Sequence, residues 1–280
     1  QRLTRQRFHL VKTITREKAY MMSNIYLKFS SLYIAKKDDE PFANMFGVTS
    51  KTIISDFTPD DLVNMSDEDM INFVMQKGKK RFAEPEKNVD LLKKIARDSY
   101  RLDKLAYDPI NVAISSSFNT IKALEDNLKV IDKAIEKNIK GLCDNEFTIL
   151  NSIPGIGPVY AAGIISEIGS ISFFKDNNAL AKYAGLTWRK TQSGYFEAET
   201  TRMTKTGNKY LRYYLIEAVS SVKMHSKEFN EFYTRKYNEV SRGAHKRALA
   251  LSARKLVRLI FGLLRHNQLY STDKVDNRLD

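Results

Sequence analysis

The chain has a single cysteine, Cys143, among 280 residues. That excludes an internal disulfide framework and any cysteine-based zinc cluster. Histidine is almost as scarce: His9, His225, His245 and His266 are scattered without metal-ligand spacing, so no metal site is expected from them. Nowhere do about eighteen apolar residues run together, which excludes a membrane-spanning helix, and the N-terminus lacks a signal-peptide pattern. A starting Met is also missing, and Gln1-Arg2-Leu3 already lies inside a helical pattern; the expectation is a fragment of a longer protein. At this length the chain can bury a full core and hold two domains.

What the chain has in excess is positive charge. The formal net charge is +13, and it is concentrated in two blocks. Residues 1–37 hold nine Lys or Arg against one acid, residues 188–265 hold seventeen against six, and the remainder is net acidic. Two basic blocks around an acidic middle point to surfaces that meet a polyanion. Solvated helix faces would explain single lysines, but not so uneven a surplus.

Between the blocks, Leu150 to Ala162 reads LNSIPGIGPVYAA. An amphipathic pattern precedes Pro154 and a small-residue helix follows Pro158, so Pro154-Gly155-Ile156-Gly157 is the turn of a helix-hairpin-helix. Its glycines permit positive φ and leave backbone bare, so a phosphate can approach Gly155, Ile156, Gly157 and the start of the second helix. Such a turn holds a nucleic-acid backbone and reads no bases. The plainer alternative is an αα-hairpin with a glycine turn and no ligand.

The remaining pattern predicts a mainly α fold. Residues 1–37 form a long helix with Leu3, Phe8, Val11, Ile14, Met21, Met22, Ile25 and Phe29 near helical spacing. Residues 38–87 are a small helical cluster, in which Thr58-Pro59-Asp60-Asp61 and Ser66-Asp67-Glu68-Asp69 are capping sequences rather than metal ligands. Residues 88–140 are expected to be a coiled-coil hairpin broken at Asp108-Pro109, serving spacing or assembly. A C-terminal domain over 141–270 then carries the helix-hairpin-helix, a short loop or strand segment around Thr191–Phe196, and two amphipathic helices near 211–224 and 243–266, with a tail over 271–280.

The order of motifs in that domain resembles the C-terminal transposase domain of the insertion-sequence 110 family (116/110/902 type), related to the Piv DNA invertases. The resemblance covers roughly residues 146 to 265 and rests on Pro154-Gly155-Ile156-Gly157, Glu167-Ile168-Gly169, Phe174-Lys175, Ala184-Gly185-Leu186-Thr187, Ser193-Gly194, Lys205-x-Gly207-Asn208 and Leu211-Arg212. Upstream, Leu3-Thr4-Arg5-Gln6-Arg7 is similar to the helix that follows the family's catalytic domain.

The resemblance implies a recombinase in which a RuvC-like domain holds divalent metal, expected to be Mg, on an Asp-Glu-Asp-Asp set, while a serine of the C-terminal domain forms a covalent link to DNA. The RuvC-like domain is expected to be missing here, so this fragment would be inactive alone and no metal ligand is assigned within it. Ser193 is the candidate nucleophile, with Arg189, Lys190 and Arg202 close in sequence to stabilise a pentavalent phosphate. Without the resemblance Ser193-Gly194 is simply a turn. Many relatives carry a second serine where this chain has Thr204, which leaves Ser193 as the better candidate. Arg189, Lys190, Arg202, Lys205, Lys209 and Arg212 are expected phosphate contacts, and Tyr195, Phe196, Tyr210, Tyr213 and Tyr214 are either base-stacking residues or core.

The expected partners are therefore DNA, a structured guide RNA as in some family members, and further copies of the chain in a homo-oligomer, in a prokaryotic cytoplasm and without a membrane. The alternatives are a noncatalytic helix-hairpin-helix adaptor that uses its coiled coil for assembly, and a helical scaffold for proteins alone.

Overall fold

The computed structural model describes residues 1–35, 39–79, 82–142, 144–188 and 203–271, with the backbone alone at Lys104 and at the strands 192–193 and 196–197. The fold is mainly α. Its residues divide into two units, one of residues 10–128 and one of residues 1–9 with 129–280. The helices α1 (Arg2–Lys28) and α7 (Lys104–Leu142) each contribute to both.

In the unit of residues 10–128, α1 places Ile14, Met21, Ile25 and then Phe29 on one buried stripe. Packed against it are α2 (Ser30–Ile34), α3 (Val48–Asp56), α4 (Pro59–Asn64), α5 (Asp67–Gly78) and α6 (Pro85–Asp98), which supply Ile53, Ile54, Leu62, Met70, Val74, Leu92 and Ile95 to the same core. The capping sequences do what their chemistry dictates. Thr58 and Asp61 form a reciprocal capping box with Pro59 at the first helical position, and the bonds from Thr58 hold the Asp61 carboxyl below its ordinary value. Ser66 caps α5 through the Asp69 amide, while Asp60 pairs with Arg101 and Asp67 with Lys93.

Residues 88–140 are not interrupted at Asp108-Pro109. The break lies at Ser99–Asp103, and α7 runs through Pro109. Asp103 starts the helix by accepting from the Leu105 amide at 2.9 Å. Pro109 follows one turn later, so it forgoes only the bond to the Leu105 carbonyl, at a residue 84% exposed and open to water. Leu102 and Leu105 thus leave the expected apolar seam, whereas Val89, Leu92, Ile95 and Ala96 of α6 join the common core.

In the other unit the centre is α11 (Lys209–His225), which packs on α9 (Pro158–Ile168), α10 (Asn177–Ala184), α12 (Lys227–Asn238) and α13 (Ala244–His266). Leu211, Tyr214, Leu215, Val219 and Val222 line its buried face. The helix α8 (Asp144–Asn151) precedes α9, and the start of α1 docks here through Leu3, Thr4 and Phe8. The helix α12 was not expected from the pattern; only Phe229 of its twelve residues is buried, too little for an apolar stripe. Two short antiparallel strands, β1 (Gln192–Ser193) and β2 (Phe196–Glu197), complete the unit.

Candidate nucleic-acid interface

The turn between α8 and α9 is built from the inside. Ile153 and Ile156 plug the core at 1% and 2% exposure, and the Ile156 amide donates to the Ile153 carbonyl at 3.0 Å. Gly155 has φ +92°, and a Cβ there would lie 2.8 Å from both N and Cα of Val222 in α11. Its bareness therefore serves helix packing. Gly157 differs: φ is −83°, nothing lies within 4 Å of its missing Cβ, and it caps α9 ahead of Pro158 with no side-chain bond to the first turn. Of the three residues expected to face phosphate, Ile156 is core, Gly155 meets a helix and Gly157 is open.

After α10 the chain rises into the segment that carries Ser193. Gly185 ends α10 with φ +69°, and Arg212 donates from Nη1 to the Ala184 carbonyl at 2.9 Å. Trp188 and Met203 form an antiparallel bridge, the Thr204 amide donates to the Thr187 carbonyl at 2.8 Å, and the two threonine hydroxyls lie 3.1 Å apart. These contacts make a neck. Above it β1 and β2 pair with Ser193 opposite Phe196. The Ser193 and Phe196 side chains and residues Arg189, Lys190, Tyr195 and Arg202 lie outside the described residues. Thr204 is inside them, and its hydroxyl is engaged at the neck.

Below the neck lies a polar junction that no single motif announces. The Glu167 side chain, fully enclosed in α9, accepts from Arg5 at 2.8 Å (Nε to Oε1) and 2.9 Å (Nη2 to Oε2), and from Asn208 Nδ2 at 2.8 Å. Burial alone would raise its pKa, but the bonds from Arg5 and Asn208 outweigh it and hold the carboxyl below the usual range. Asn208 also caps α11 by accepting from the Tyr210 and Leu211 amides, and its own amide donates to the Tyr183 carbonyl at 2.6 Å. A side chain at Gly207, where φ is +125°, would overlap that same carbonyl. The signal for Glu167 was its isolation as the one charged residue in an otherwise apolar helix; its partners are 162 and 41 positions away.

The expected phosphate contacts separate here. Lys205 and Lys209 are exposed, with Lys209 Nζ 5.1 Å from the Tyr210 ring centroid. Arg212 is half-buried beneath Gly185, and burial lowers its pKa; one arm of its guanidinium closes α10 rather than facing solvent. Of the expected aromatic residues, Tyr210, Tyr213 and Tyr214 are packing elements. Tyr210 lies under the Arg5 guanidinium at 4.6 Å and against Phe8, and the enclosed Tyr214 donates its hydroxyl to the Thr4 carbonyl at 2.7 Å. On α13, Arg247 pairs with Glu239 and Lys255 with Glu228, while Lys246, Arg258 and Arg265 are exposed.

Among the described residues no three of His, Cys, Asp and Glu gather as a metal-binding group, and no helix is long and apolar enough to cross a membrane. Residues 147–234 match the family described as Transposase IS116/IS110/IS902. A second match is the Insertion element IS116 uncharacterized 44.8 kDa protein of Streptomyces clavuligerus, 28% identical over 149 residues. That alignment covers 53% of this chain and 36% of the relative.

Proposed function

We propose, from the match of residues 147–234 to the IS116/IS110/IS902 transposase family, that this chain is the DNA-binding, serine-bearing part of an enzyme that cleaves and rejoins DNA at an insertion element. The observation that carries the proposal is the pairing of Ser193 with Phe196. Ser193 lies in the last backbone pair of the two strands, and exposed Lys205 and Lys209 follow twelve and sixteen positions later in the chain.

The chemistry is transesterification. Ser193 Oγ attacks a phosphorus, the Oγ–P bond forms as one P–O bond of the strand breaks, and the released strand oxygen takes up a proton as the serine gives one up. Reversal by a different strand end rejoins DNA. Arg189, Lys190 and Arg202 lie within a few residues of Ser193 and supply cations for the crowded phosphate. The divalent metal of the family belongs to acids of a RuvC-like domain, and none of the described residues is assigned to it. DNA is the primary partner; a structured RNA and further copies of the chain are proposed with it.

The test is binding to duplex DNA and to structured RNA across a salt series, together with recovery of a covalent protein–DNA adduct in the protein extended by its catalytic domain. Ser193→Ala is expected to keep salt-dependent binding and lose the adduct. An adduct that survives Ser193→Ala rejects the nucleophile. A chain whose every activity tolerates the substitution is the noncatalytic adaptor instead.

A further inference from the structure

We infer that the start of α3 is a binding site for a phosphate ester, independent of the reading of Ser193. The helix opens differently from the two that follow it. Both α4 and α5 begin with a hydroxyl cap, Thr58 or Ser66, and carry acids in the first turn, whereas α3 begins after Gly47 with no side-chain cap and no acid. Ser50 does not fill the gap, because its hydroxyl donates to the Asn44 carbonyl at 2.6 Å. The first bond of the helix runs from the Lys51 amide to the Gly47 carbonyl at 2.9 Å, which leaves the Val48, Thr49 and Ser50 amides without an acceptor among the described residues.

The second observation is Thr49. Its side chain is enclosed, at 7% exposure, yet its hydroxyl has no hydrogen-bond partner among the described residues. It lines a cavity of about 680 Å³ between the start of α3 and the end of α5. Gly78, bare on the opposite wall, leaves the hydroxyl open to that cavity: a Cβ there would lie 3.6 Å from Thr49 Oγ1. An enclosed hydroxyl without a partner is costly unless a ligand supplies one. Lys77 and Lys79 line the same cavity with no carboxylate paired to either among the described residues, while Glu84, the one acid in the described lining, pairs with Lys87 at 3.3 Å. Backbone amides, a hydroxyl and two ammonium groups offer donors to an anion, and a tetrahedral oxyanion has the acceptor oxygens to use all three kinds. The cavity has room for more than the ion, and Pro41, Phe42 and Phe82 give it an apolar wall. The phosphate is therefore carried on a larger molecule, as a small ester or in a nucleic-acid strand.

Amide NMR of the whole chain, titrated with inorganic phosphate, tests the site. The Val48, Thr49 and Ser50 resonances are expected to shift saturably. Thr49→Val keeps the shape and removes the hydroxyl, and it is expected to weaken that binding about tenfold; Lys77→Gln is expected to weaken it less, because that lysine is exposed. Without phosphate, Thr49→Val should melt no lower than the wild type, since the hydroxyl it removes bonds nothing in the protein. The inference is overturned by amides that do not shift, by a shift that Thr49→Val leaves unchanged, or by a lower melting temperature for Thr49→Val, which would give the hydroxyl to the fold. Adenosine 5′-monophosphate and a single-stranded oligonucleotide without terminal phosphates separate the two sources at the same amides. A response to the monophosphate alone assigns a small ester, a response to the strand assigns a nucleic-acid backbone, and a response to inorganic phosphate alone rejects the ester.

Discussion

Among the described residues each unit buries one side chain that can carry a full charge as Lys, Arg, Asp or Glu, and the two are treated in opposite ways. Glu167 has a counter-ion, and its three bonds come from segments far apart in sequence. Lys28 is fully buried with no carboxylate paired to it among the described residues; its Nζ donates to the Ile54 carbonyl and Asn111 Oδ1 at 2.6 Å and to the Ser55 carbonyl at 3.3 Å. The amine closes the carbonyl end of α3, where free acceptors are expected, and burial lowers its pKa to about 8. One enclosed charge is met by an arginine from another helix, the other by carbonyl and amide oxygens. Glycine lets backbones come close in both units: at Gly155, Gly185 and Gly207 in the unit that holds Glu167, and at Gly47 in the other, where a Cβ would lie 3.1 Å from the Asn44 carbonyl oxygen.

The largest effect that would break this comparison is expected at Gly155. Valine there combines a positive φ with a clash against Val222 backbone that no rotamer relieves, a cost of about 3 kcal/mol or more. Thermal unfolding followed by circular dichroism should show the unit of residues 1–9 and 129–280 lost while the signal of residues 10–128 remains. Loss of DNA binding in Gly155→Val would report that unfolding, not a vanished phosphate contact. A variant that folds with the wild-type midpoint would mean that α11 yields at Val222.

Next comes Lys28→Met, expected to cost roughly 2 kcal/mol at neutral pH because the Ile54 carbonyl and Asn111 lose their donor. Its pH dependence is more telling. A lysine titrating near 8 in the fold and 10.5 when unfolded leaves the unfolded chain holding more protons between those values, so wild-type stability rises with pH across that window, by roughly 3 kcal/mol at most. The methionine variant lacks the rise, and its deficit in urea midpoint should grow from pH 7 to pH 10. Glu167 has the opposite sense. Its carboxyl is depressed below the ordinary glutamate value, 4.5, so its contribution is present above that pH and lost as pH falls through the folded value. A Lys28→Met deficit that stays flat with pH would erase the contrast between the buried lysine and the buried glutamate.

Local chemistry was legible in the sequence, and tertiary use was not. The capping box of α4, the serine cap of α5, the apolar stripe of α1 and the turn before Pro158 each depend on residues near in sequence, and each appears where the pattern put it. The motif residues were visible as motifs, yet Gly155, Tyr214 and Arg212 proved to face neighbouring helices because their partners, Val222, Thr4 and Ala184, are distant along the chain. Pro109 misled because its cost depends on its place in a helix whose start is set by Asp103. For Ser193 only the backbone pairing is described, so its chemistry stays with the proposal and its test.

A smaller expected effect belongs to the exposed lysines. Lys205→Gln and Lys209→Gln should each leave folding unchanged and reduce the slope of log affinity against log salt by about 1, equally for unrelated DNA sequences, if each neutralises one phosphate. Arg212→Gln should differ from both, because it also removes the donor to the Ala184 carbonyl. An unchanged slope in both lysine variants would move the DNA surface away from the neck, toward exposed Lys246, Arg258 and Arg265 of α13.

The smallest effect on the fold is expected at Gly157, and it isolates the one part of the helix turn still open to a phosphate. Its φ of −83° and ψ of 174° suit any residue, and no atom lies within 4 Å of a new Cβ, so Gly157→Ala should change stability by no more than about 0.5 kcal/mol. The added methyl nevertheless stands beside the first turn of α9, where Pro158 has no N–H and the next amides precede the first helical bond, from Ala161 to the Gly157 carbonyl at 3.0 Å. A backbone phosphate seated on those amides would be pushed outward. Weaker DNA binding with an unchanged melting temperature therefore assigns the turn to the interface. Unchanged binding makes it an αα-hairpin shaped by Val222 and leaves recognition to the basic surface around the neck.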